Sequence, residues 1–199
     1  QRFGWKQEQG VLMMVPDVVY DALLANERSL DDPEIIDVEP GETVAIRWIA
    51  ASAFMSFFLD LGALEGELLR TDANPVEPIR GSVFQLALAQ RLTLRLTMPE
   101  VPGVFPLLAL GERSNLRCGV VLRSSRKLKA PALAPQSQQW AGSLDFSQDR
   151  QLRAKTPLAV RAADNTIPVA LTGPAPKYTW GLNHRFYPYR DPYWVDEGQ

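Results

Sequence analysis

The sequence has very little histidine and cysteine, the residue types on which many metal centres and nucleophilic sites depend. Its 199 residues include one histidine, His184, and one cysteine, Cys118. A lone cysteine cannot close an internal disulfide, so cysteine usage leaves the redox compartment open. No Gly-x-Ser-x-Gly elbow accompanies the lone histidine. A Ser-His-Asp hydrolytic site is therefore not expected.

An excess of charge of either sign is also missing. There are 21 lysines and arginines against 23 aspartates and glutamates, for a formal net charge of -2. This balance offers no basic footprint for nucleic acid and no attraction to an anionic membrane. The apolar run Val11–Val15 ends at once at Pro16 and Asp17, far short of the roughly 18 apolar residues of a membrane-spanning helix. We expect neither a nucleic-acid partner nor a membrane span.

What the sequence does contain is a series of short apolar stretches with period two. Alternation runs through Val44–Trp48 and Leu92–Thr97, which predicts strands with one buried face. The other strand candidates are Phe57–Leu61, Glu67–Arg70, Val83–Leu88, Phe105–Leu110 and Cys118–Leu122. Turn-forming residues separate them, and the predicted breaks include Asn74-Pro75, Pro78 and Gly81. Roughly seven strands in so short a stretch predict an all-β Greek-key sandwich or barrel.

Residues 124–166 differ from the preceding sequence. Basic residues at 126, 127 and 129 are followed by Pro131, Pro135 and the polar run Gln136–Gln139. We interpret this segment as a long linker that packs on a neighbouring domain through apolar anchors such as Trp140 and Leu144. The predicted division is a first domain at 1–123, an interdomain linker at 124–166 and the opening of a second domain at 167–199.

An internal repeat connects the two ends of the chain. Asn26-Glu27-Arg28, Asp32-Pro33 and Val38–Glu42 are matched, in order, by Asn183-His184-Arg185, Asp191-Pro192 and Val195–Gln199. The asparagine and the glycine are fifteen residues apart in both copies, from 26 to 41 and from 183 to 198. Each copy predicts a strand followed by a turn at asparagine, which tolerates a positive φ. An Asp-Pro pair then fixes the returning segment, and a second turn follows at glycine. We expect each copy to open the same kind of β domain, the second being truncated.

The order and spacing of these motifs resemble the second domain of three-domain multicopper oxidases. The matching segments are Leu23–Asn26, Asp32-Pro33, Val38–Glu42, Val44–Ile49, Asp60–Gly62, Thr71–Val76 and Ala89–Leu94. The tail, with Tyr178–Asn183, Tyr187-Pro188 and Asp191-Pro192, is similar to the opening of that family's third domain. The resemblance implies a cupredoxin-like fold and a periplasmic or secreted location. Because the chain begins at Gln1 without a targeting segment, we expect a processed or excised piece.

In that family the middle domain carries no copper. The type 1 copper and the three-copper cluster are held by His-x-His, His-x-x-His-x-His and His-Cys-His motifs of the outer domains, and none of these motifs occurs here. The resemblance implies a non-catalytic central fragment whose parent couples one-electron substrate oxidation to reduction of O2 to water. Copper is implied for the parent, and flanking cupredoxin domains are the implied partners. In this chain the prediction assigns no catalytic, cofactor-binding or metal-binding residue.

The resemblance also leaves an alternative from another functional class. Related proteins with the same domains and degenerate copper ligands act as structural or cell-division factors. A copper-free scaffold or interaction protein is therefore the alternative. The histidine motifs of the surrounding coding sequence discriminate between the two.

Individual residues receive structural interpretations. His184 is predicted to be an exposed turn residue, and Cys118 a small core residue because it alternates with Val120 and Leu122. Met55 is assigned to the core. The scattered methionines, which also include Met13, Met14 and Met98, do not form a Met-rich copper segment. The carboxylates Asp31, Asp32, Asp37 and Glu39 are interpreted as turn residues, with a calcium site as the alternative.

Aromatic residues are concentrated near the end of the chain. They are Tyr178, Trp180, Phe186, Tyr187, Tyr189, Tyr193 and Trp194. Such a cluster predicts an association-prone C-terminal segment that packs on the sandwich or on another copy of the chain. A sugar-binding surface is the alternative interpretation, and quenching of tryptophan fluorescence by sugars would test it.

Overall fold

A computed structural model describes residues 5–8, 11–14, 20–175, 179–189 and 192–197. The described residues form fourteen strands and one five-residue helix, which confirms the all-β prediction. They divide into a first unit that ends at Pro157 and a second that begins at Leu158. None of the described residues forms a helix long and apolar enough to cross a bilayer.

The first unit is built on two sheets, and strand labels follow chain order. A five-stranded sheet has the order β3 (Glu34–Asp37), β11 (Arg117–Arg123), β10 (Val104–Gly111), β5 (Phe57–Asp60) and β8 (Val83–Leu86). A four-stranded sheet has the order β4 (Thr43–Ile49), β9 (Arg91–Thr97), β6 (Gly66–Thr71) and β7 (Asn74–Gly81). A separate antiparallel hairpin pairs β1 (Trp5–Glu8) with β2 (Val11–Met14). Within the two main sheets, β3 and β11 run parallel and the other described pairs are antiparallel.

The core lies between the two main sheets. The alternation at residues 92–97 is confirmed, because Leu92, Leu94 and Leu96 of β9 are each at most 1% exposed. From the five-stranded sheet, Leu59 and Leu107 belong to the same buried cluster. Each buried leucine contributes about 1.5–3 kcal/mol through removal of its side chain from water. The apolar faces that the sequence pattern predicts therefore account for the sandwich.

The edge strand β7 differs from the prediction. The sequence pattern predicts breaks at Asn74-Pro75, Pro78 and Gly81, whereas the structure has one eight-residue strand across all of them. Proline removes a ladder donor, but an edge strand needs partners on only one side and can tolerate it. The pairing of β7 with β6 also contains a register shift between Leu68 and Arg70. Strand β3, whose four residues pair in parallel with β11, is likewise missing from the predicted strands.

The segment that follows β11 lies on the sandwich that precedes it. Isolated bridges join Leu116 to Gln136 and Val76 to Ala154, and Leu144 is buried. The short helix α1 (Ser147–Gln151) belongs to this segment. Residues 124–157 are thus part of the first unit, whereas the sequence pattern predicts a linker that packs on a neighbouring domain. The domain division at residues 123 and 166 stays a prediction.

The second unit contains a three-stranded antiparallel sheet. Its order is β12 (Leu171–Ala175), β13 (Thr179–Leu182) and β14 (Arg185–Phe186). The turn between β13 and β14 has positive φ at Asn183 (48°) and His184 (60°).

The turn of the second unit reproduces the turn of the first copy of the repeat. There Asn26 and Glu27 have φ of 50° and 66°, between the bridged residues Ala25 and Arg28. Two consecutive positive φ values are the signature of a type I′ hairpin turn. The repeat in sequence is therefore a repeat in backbone conformation at this turn. The matching residues Asp191 and Gly198 lie outside the described residues.

Candidate functional site

The one histidine and the one cysteine of the sequence are in different units. Cys118 lies on β11 in the first unit and is 5% exposed, and burial raises the pKa of its thiol to about 11. His184 is an exposed turn residue of the second unit, as predicted. A type 1 copper site needs imidazoles and a thiolate that converge on one point. The donor set of this chain therefore does not fit a catalytic copper, and the described residues contain no group of three His, Cys, Asp or Glu that could hold a metal ion.

The methionines of the first unit are packed in or against the core. Met98 is 2% exposed, and Met55 packs against the buried cluster as predicted. The Met55 sulfur would lie 3.0 Å from a Cβ added at Gly111, so the close packing there depends on glycine. The side chains of Met13 and Met14 lie outside the described part of the chain. The described methionines thus serve packing.

The carboxylates near the first copy of the repeat form local ion pairs and turn contacts. Asp32 accepts from Arg28 at 2.5 Å. Asp37 on β3 binds both Arg123 of β11, at 2.8 Å, and Arg126, at 2.9 Å. The Arg123 hydrogen bond, ahead of the charges of both arginines, holds the pKa of Asp37 below its usual value. The interpretation of Asp37 as a turn residue is therefore wrong, because Asp37 lies on β3 and is paired with arginines there.

A second ion-pair cluster spans three strands of the four-stranded sheet. Glu67 on β6 accepts from Arg95 of β9 at 2.8 Å and from Arg80 of β7 at 2.9 Å. The Glu67 side chain is 17% exposed, and both arginines are more open to solvent. The hydrogen bond from Arg95 is the main cause that holds the pKa of Glu67 below its usual value. This group, the Glu67 cluster, gave no signal in the sequence, and it lines a cavity of about 620 Å³ beside Thr43 and Thr97.

The edge of the five-stranded sheet is covered by a side chain that imitates a strand. Gln148, on α1, is 7% exposed. Its Oε1 accepts from the Gln85 backbone N–H and its Nε2 donates to the Gln85 carbonyl oxygen, both at 2.9 Å. Because Gln85 belongs to the edge strand β8, these two bonds replace those of a missing strand. A glutamine in a polar segment gave no signal of this role.

A carboxylate beside Gln148 secures the same segment. Asp145 accepts from the Gln85 side-chain amide at 2.6 Å and from the Ser147 backbone N–H at 2.9 Å. The bond from Gln85, followed by the bonds from Ser147, holds the pKa of Asp145 far below its usual range. The segment that contains α1 is therefore bound to β8 by its own side chains, Asp145 and Gln148, and by the side chain of Gln85.

An apolar groove of about 1100 Å³ opens beside β4, the edge of the four-stranded sheet. We name it the β4 groove. Its lining includes residues 22–25, the inward side chains of β4, and core residues of the facing sheet such as Cys118 and Val120. Val44, Ile46 and Trp48 are only half-buried, unlike their leucine neighbours on β9. The Trp48 indole N–H is buried and has no hydrogen-bond partner among the described residues.

The second unit displays a wide apolar surface. The most exposed apolar side chains described there, in order along the chain, are Leu158, Val160, Leu171, Tyr187, Tyr189 and Trp194, each at least 79% exposed. Trp180 is 48% exposed and Tyr193 46%. Five of the seven aromatic residues predicted to promote association are thus open to solvent within this unit, whereas Phe186 is half-buried and Tyr178 lies outside the described residues.

Comparison with known proteins identifies relatives of the first unit. A family model described as multicopper oxidase matches residues 6–121. None of the curated protein sequences compared with the chain matches it.

Solved structures share the fold. Fet3p, a multicopper oxidase that functions in iron import, has a TM-score of 0.58 and 17% identity over 70% of this chain. The laccase of Botrytis aclada has a TM-score of 0.58 and 12% identity over 77%. The blue copper oxidase of Nitrosomonas europaea has a TM-score of 0.50 and 17% identity over 79%. The matched region spans 28%, 29% and 49% of those chains.

Proposed function

Because this chain belongs to the multicopper oxidase family, we propose that it is the copper-free central domain of a longer oxidase, together with the start of the domain that follows. The family model covers residues 6–121, from within β1 to within β11. The chain itself spans less than a third of Fet3p and of the laccase. A parent protein as long as Fet3p or the laccase would have room for further domains on either side of this chain.

One observation carries the assignment of a copper-free role. The whole sequence holds one histidine and one cysteine, and these are divided between two units, with the cysteine buried and its thiol pKa raised. Type 1 copper and a three-copper cluster need several imidazoles and, for the type 1 site, a thiolate that converges with them on the metal. The copper ligands of the parent would have to come from residues outside this chain.

The parent reaction follows from the family. It would remove single electrons from a reducing substrate at one copper and reduce O2 to water at three others. In this proposal the present chain transfers no electrons. Its residues act by holding their own shape, and the exported location expected for the family applies to the parent.

The first unit suits a rigid spacer. The Glu67 cluster ties β9, β6 and β7 together, while Gln148 and Asp145 fasten residues 145–151 across the edge of β8. Asp37 joins β3 to β11 and to the beginning of the next segment. Strand edges held in this way would keep the two flanking domains of the parent at a constant separation and orientation. Electron transfer between their coppers would depend on that separation.

The second unit suits the opening hairpin of the following cupredoxin domain. It repeats the type I′ turn of the first copy. The remainder of that domain would cover its exposed aromatic side chains, which in a complete sandwich face other strands.

Metal analysis tests the proposal. The isolated chain is dialysed against Cu(II), and in a second sample against Cu(I), and its bound copper is measured together with its absorption spectrum. We expect substoichiometric copper, no blue absorption and no oxidase activity. A tight stoichiometric copper site would refute the copper-free role.

Analysis of the longer gene product tests the parent. The protein encoded around this chain is expected to contain the His-x-His and His-Cys-His motifs and to bind copper at type 1 and three-copper sites. A gene product that lacks those motifs would remove the oxidase assignment while leaving the family membership of this chain intact.

A further inference from the structure

The outer face of the four-stranded sheet carries a threonine enclosed by arginines. Thr93 lies in the middle of β9, and its register partners are Arg47 on β4 and Arg70 on β6. Residues paired in this way share one face of an antiparallel sheet, with Cβ atoms about 4.5–5.5 Å apart. Along β9 itself, Arg91 and Arg95 are the next residues on the same face, about 7 Å away. The threonine therefore has an arginine on each of its four sides.

This face is directed to solvent. Leu92 and Leu94 of β9 are buried between the two main sheets, so residues 91, 93 and 95 face outward. All four arginines are exposed, and Thr93 is half-buried among them. A molecule in solution can therefore reach the guanidinium groups from outside the sandwich.

Two of the four arginines have carboxylate partners. Arg95 donates through Nε and Nη2 to Glu67, which leaves its Nη1 for another acceptor. Arg91 pairs with Asp72 at 3.1 Å. These ion pairs hold two sides of the group in place before any ligand arrives, which lowers the entropic cost of binding.

The other two arginines lack such partners. Arg70 donates through Nη1 to the carbonyl oxygen of Ala73, a neutral acceptor. Arg47 has neither a hydrogen bond nor an ion pair within the described part of the chain. Like charges on directly opposed or neighbouring sheet positions repel each other. An anion between Arg47 and Arg70 would remove that repulsion.

We propose that Thr93 and the arginines around it form a binding site for a dianionic tetrahedral oxyanion, the class of sulfate, phosphate and phosphate monoesters. A guanidinium group binds such an ion through two parallel N–H donors. Arg47 and Arg70 contact the ion from opposite sides, and the Thr93 hydroxyl donates from the sheet below it. The two charges of the ion match the two guanidinium groups that have no carboxylate partner. The site goes beyond the proposed function, because it takes no part in copper chemistry.

The near-neutral balance of the whole chain does not reveal this site. Residues 47, 70, 91 and 95 are separated along the sequence by residues of both signs. Strand pairing brings them together around Thr93. The local excess of positive charge suits one small anion and is far smaller than the extended basic stripe of a nucleic-acid surface.

Titration of the full chain with sodium sulfate tests the proposal. The ionic strength is held constant with sodium chloride, and the backbone amide signals are followed by NMR. We expect saturable shifts centred on Thr93 and on its neighbours Arg47 and Arg70. Shifts that do not saturate, or that are centred on another surface, would overturn the proposal.

Two double variants remove the same charge from different surfaces. Arg47→Gln with Arg70→Gln breaks no ion pair of the described residues and should weaken sulfate binding by about tenfold or more. Lys127→Gln with Lys129→Gln, at exposed positions after β11, should bind sulfate like the unaltered chain. Equal weakening in the two double variants would reduce the effect to general charge attraction and refute the site.

Thr93→Val decides the case if the arginine variant unfolds. Valine keeps the β-branched shape that suits a strand and loses only the hydroxyl donor. Its affinity for sulfate should fall by about threefold to tenfold. Undiminished binding by this variant would show that the anion does not lie over Thr93.

The charge of the ligand provides an independent test. A phosphate monoester such as glycerol 2-phosphate loses its second negative charge below about pH 6. Its affinity should therefore fall about tenfold between pH 8 and pH 5, while that of sulfate, which stays dianionic, controls for changes in the protein. A monoester that loses no more affinity than sulfate would overturn the dianion assignment. Tighter binding of the monoester than of inorganic phosphate would identify an esterified ligand, the reverse order would identify the free ion, and binding of neither would refute the site.

Discussion

The side-chain amide of Asn26 donates a 2.6 Å hydrogen bond to the carboxylate of Glu34. In the second copy of the repeat, the amide of Asn183 donates to the hydroxyl of Tyr193 at 2.5 Å. Glu34 and Tyr193 occupy matching places, because each directly follows an Asp-Pro pair. Asn26 and Asn183 thus have the same two roles. Each adopts a left-handed backbone conformation, and the side chain of each binds the segment that follows the turn.

The two roles of Asn26 can be separated by substitution. Asn26→Val forces a β-branched residue into φ of 50° and should lower the free energy of unfolding by about 1–2 kcal/mol or more. Asn26→Gly keeps the turn accessible and loses only the bond to Glu34, so its loss should be smaller. Urea denaturation measures both. Equal losses for the two variants would contradict the conformational role.

Gln148 should matter more for stability than its polar neighbour Gln151. Gln148→Ala leaves the N–H and C=O of Gln85 without their side-chain partners, which costs about 1–3 kcal/mol. Residues 145–151 should also become more sensitive to limited proteolysis. Gln151→Ala, at an exposed site of the same helix, is the matched control and should change stability by at most about 0.5 kcal/mol. A Gln148→Ala protein as stable as the control would exclude the edge-covering role.

The Glu67 cluster gives the first unit an acid-sensitive contribution to stability. The pKa of Glu67 is held below its ordinary value, with the Arg95 hydrogen bond as the largest cause. The ionised carboxylate therefore stabilises the fold above the unfolded pKa, about 4.3, and this contribution is lost as pH falls through the folded pKa.

Glu67→Gln tests that pH dependence. The variant should have a lower urea midpoint than the unaltered chain near neutral pH, and the difference should shrink as the pH falls below about 4. Glu65→Gln, which removes the same charge two residues away, is the control. A difference that stays constant with pH would show that Glu67 acts through packing alone.

The thiol of Cys118 should be inert in the folded chain. With its pKa raised to about 11 by burial, roughly one thiol in a thousand is ionised near pH 8. Labelling with a chromogenic disulfide reagent should therefore be slow in the native state and complete after denaturation. Rapid, stoichiometric labelling of the native protein would show that the β4 groove admits reagents to this residue.

The exposed aromatic side chains of the second unit should promote self-association. Sedimentation should show an average mass that rises with concentration, and the double variant Tyr187→Ser with Trp194→Ser should reduce this rise. Leu158→Ser, at a 93% exposed position outside the aromatic cluster, is the control. A control that reduces association equally would place the contact elsewhere, and monomers at every concentration would remove the prediction.

Some features were open to prediction because they depend on local sequence alone. The period-two pattern at Leu92, Leu94 and Leu96 identified a buried face correctly, since side chains alternate along any strand. The repeat around Asn26 and Asn183 identified two equivalent turns. The lack of histidine and cysteine limited copper chemistry from the outset.

Other features depend on which elements become neighbours. Pro75 and Pro78 predict strand breaks, because the sequence does not show that β7 is an edge strand. The sequence around Gln148 does not distinguish it from other polar residues, because its role depends on the folded chain placing it beside β8. Glu67 became a paired carboxylate only when three strands aligned Arg80 and Arg95 beside it.

The sequence by itself therefore determined the strand faces, the repeated turn, the family resemblance and the poverty of copper ligands. Only the tertiary structure decided the order of strands in each sheet, the fastening of residues 145–151 to β8 and the β4 groove. The physical reason is that periodicity and backbone preference act over a few residues. Edge exposure and side-chain pairing arise from contacts between residues far apart in the chain.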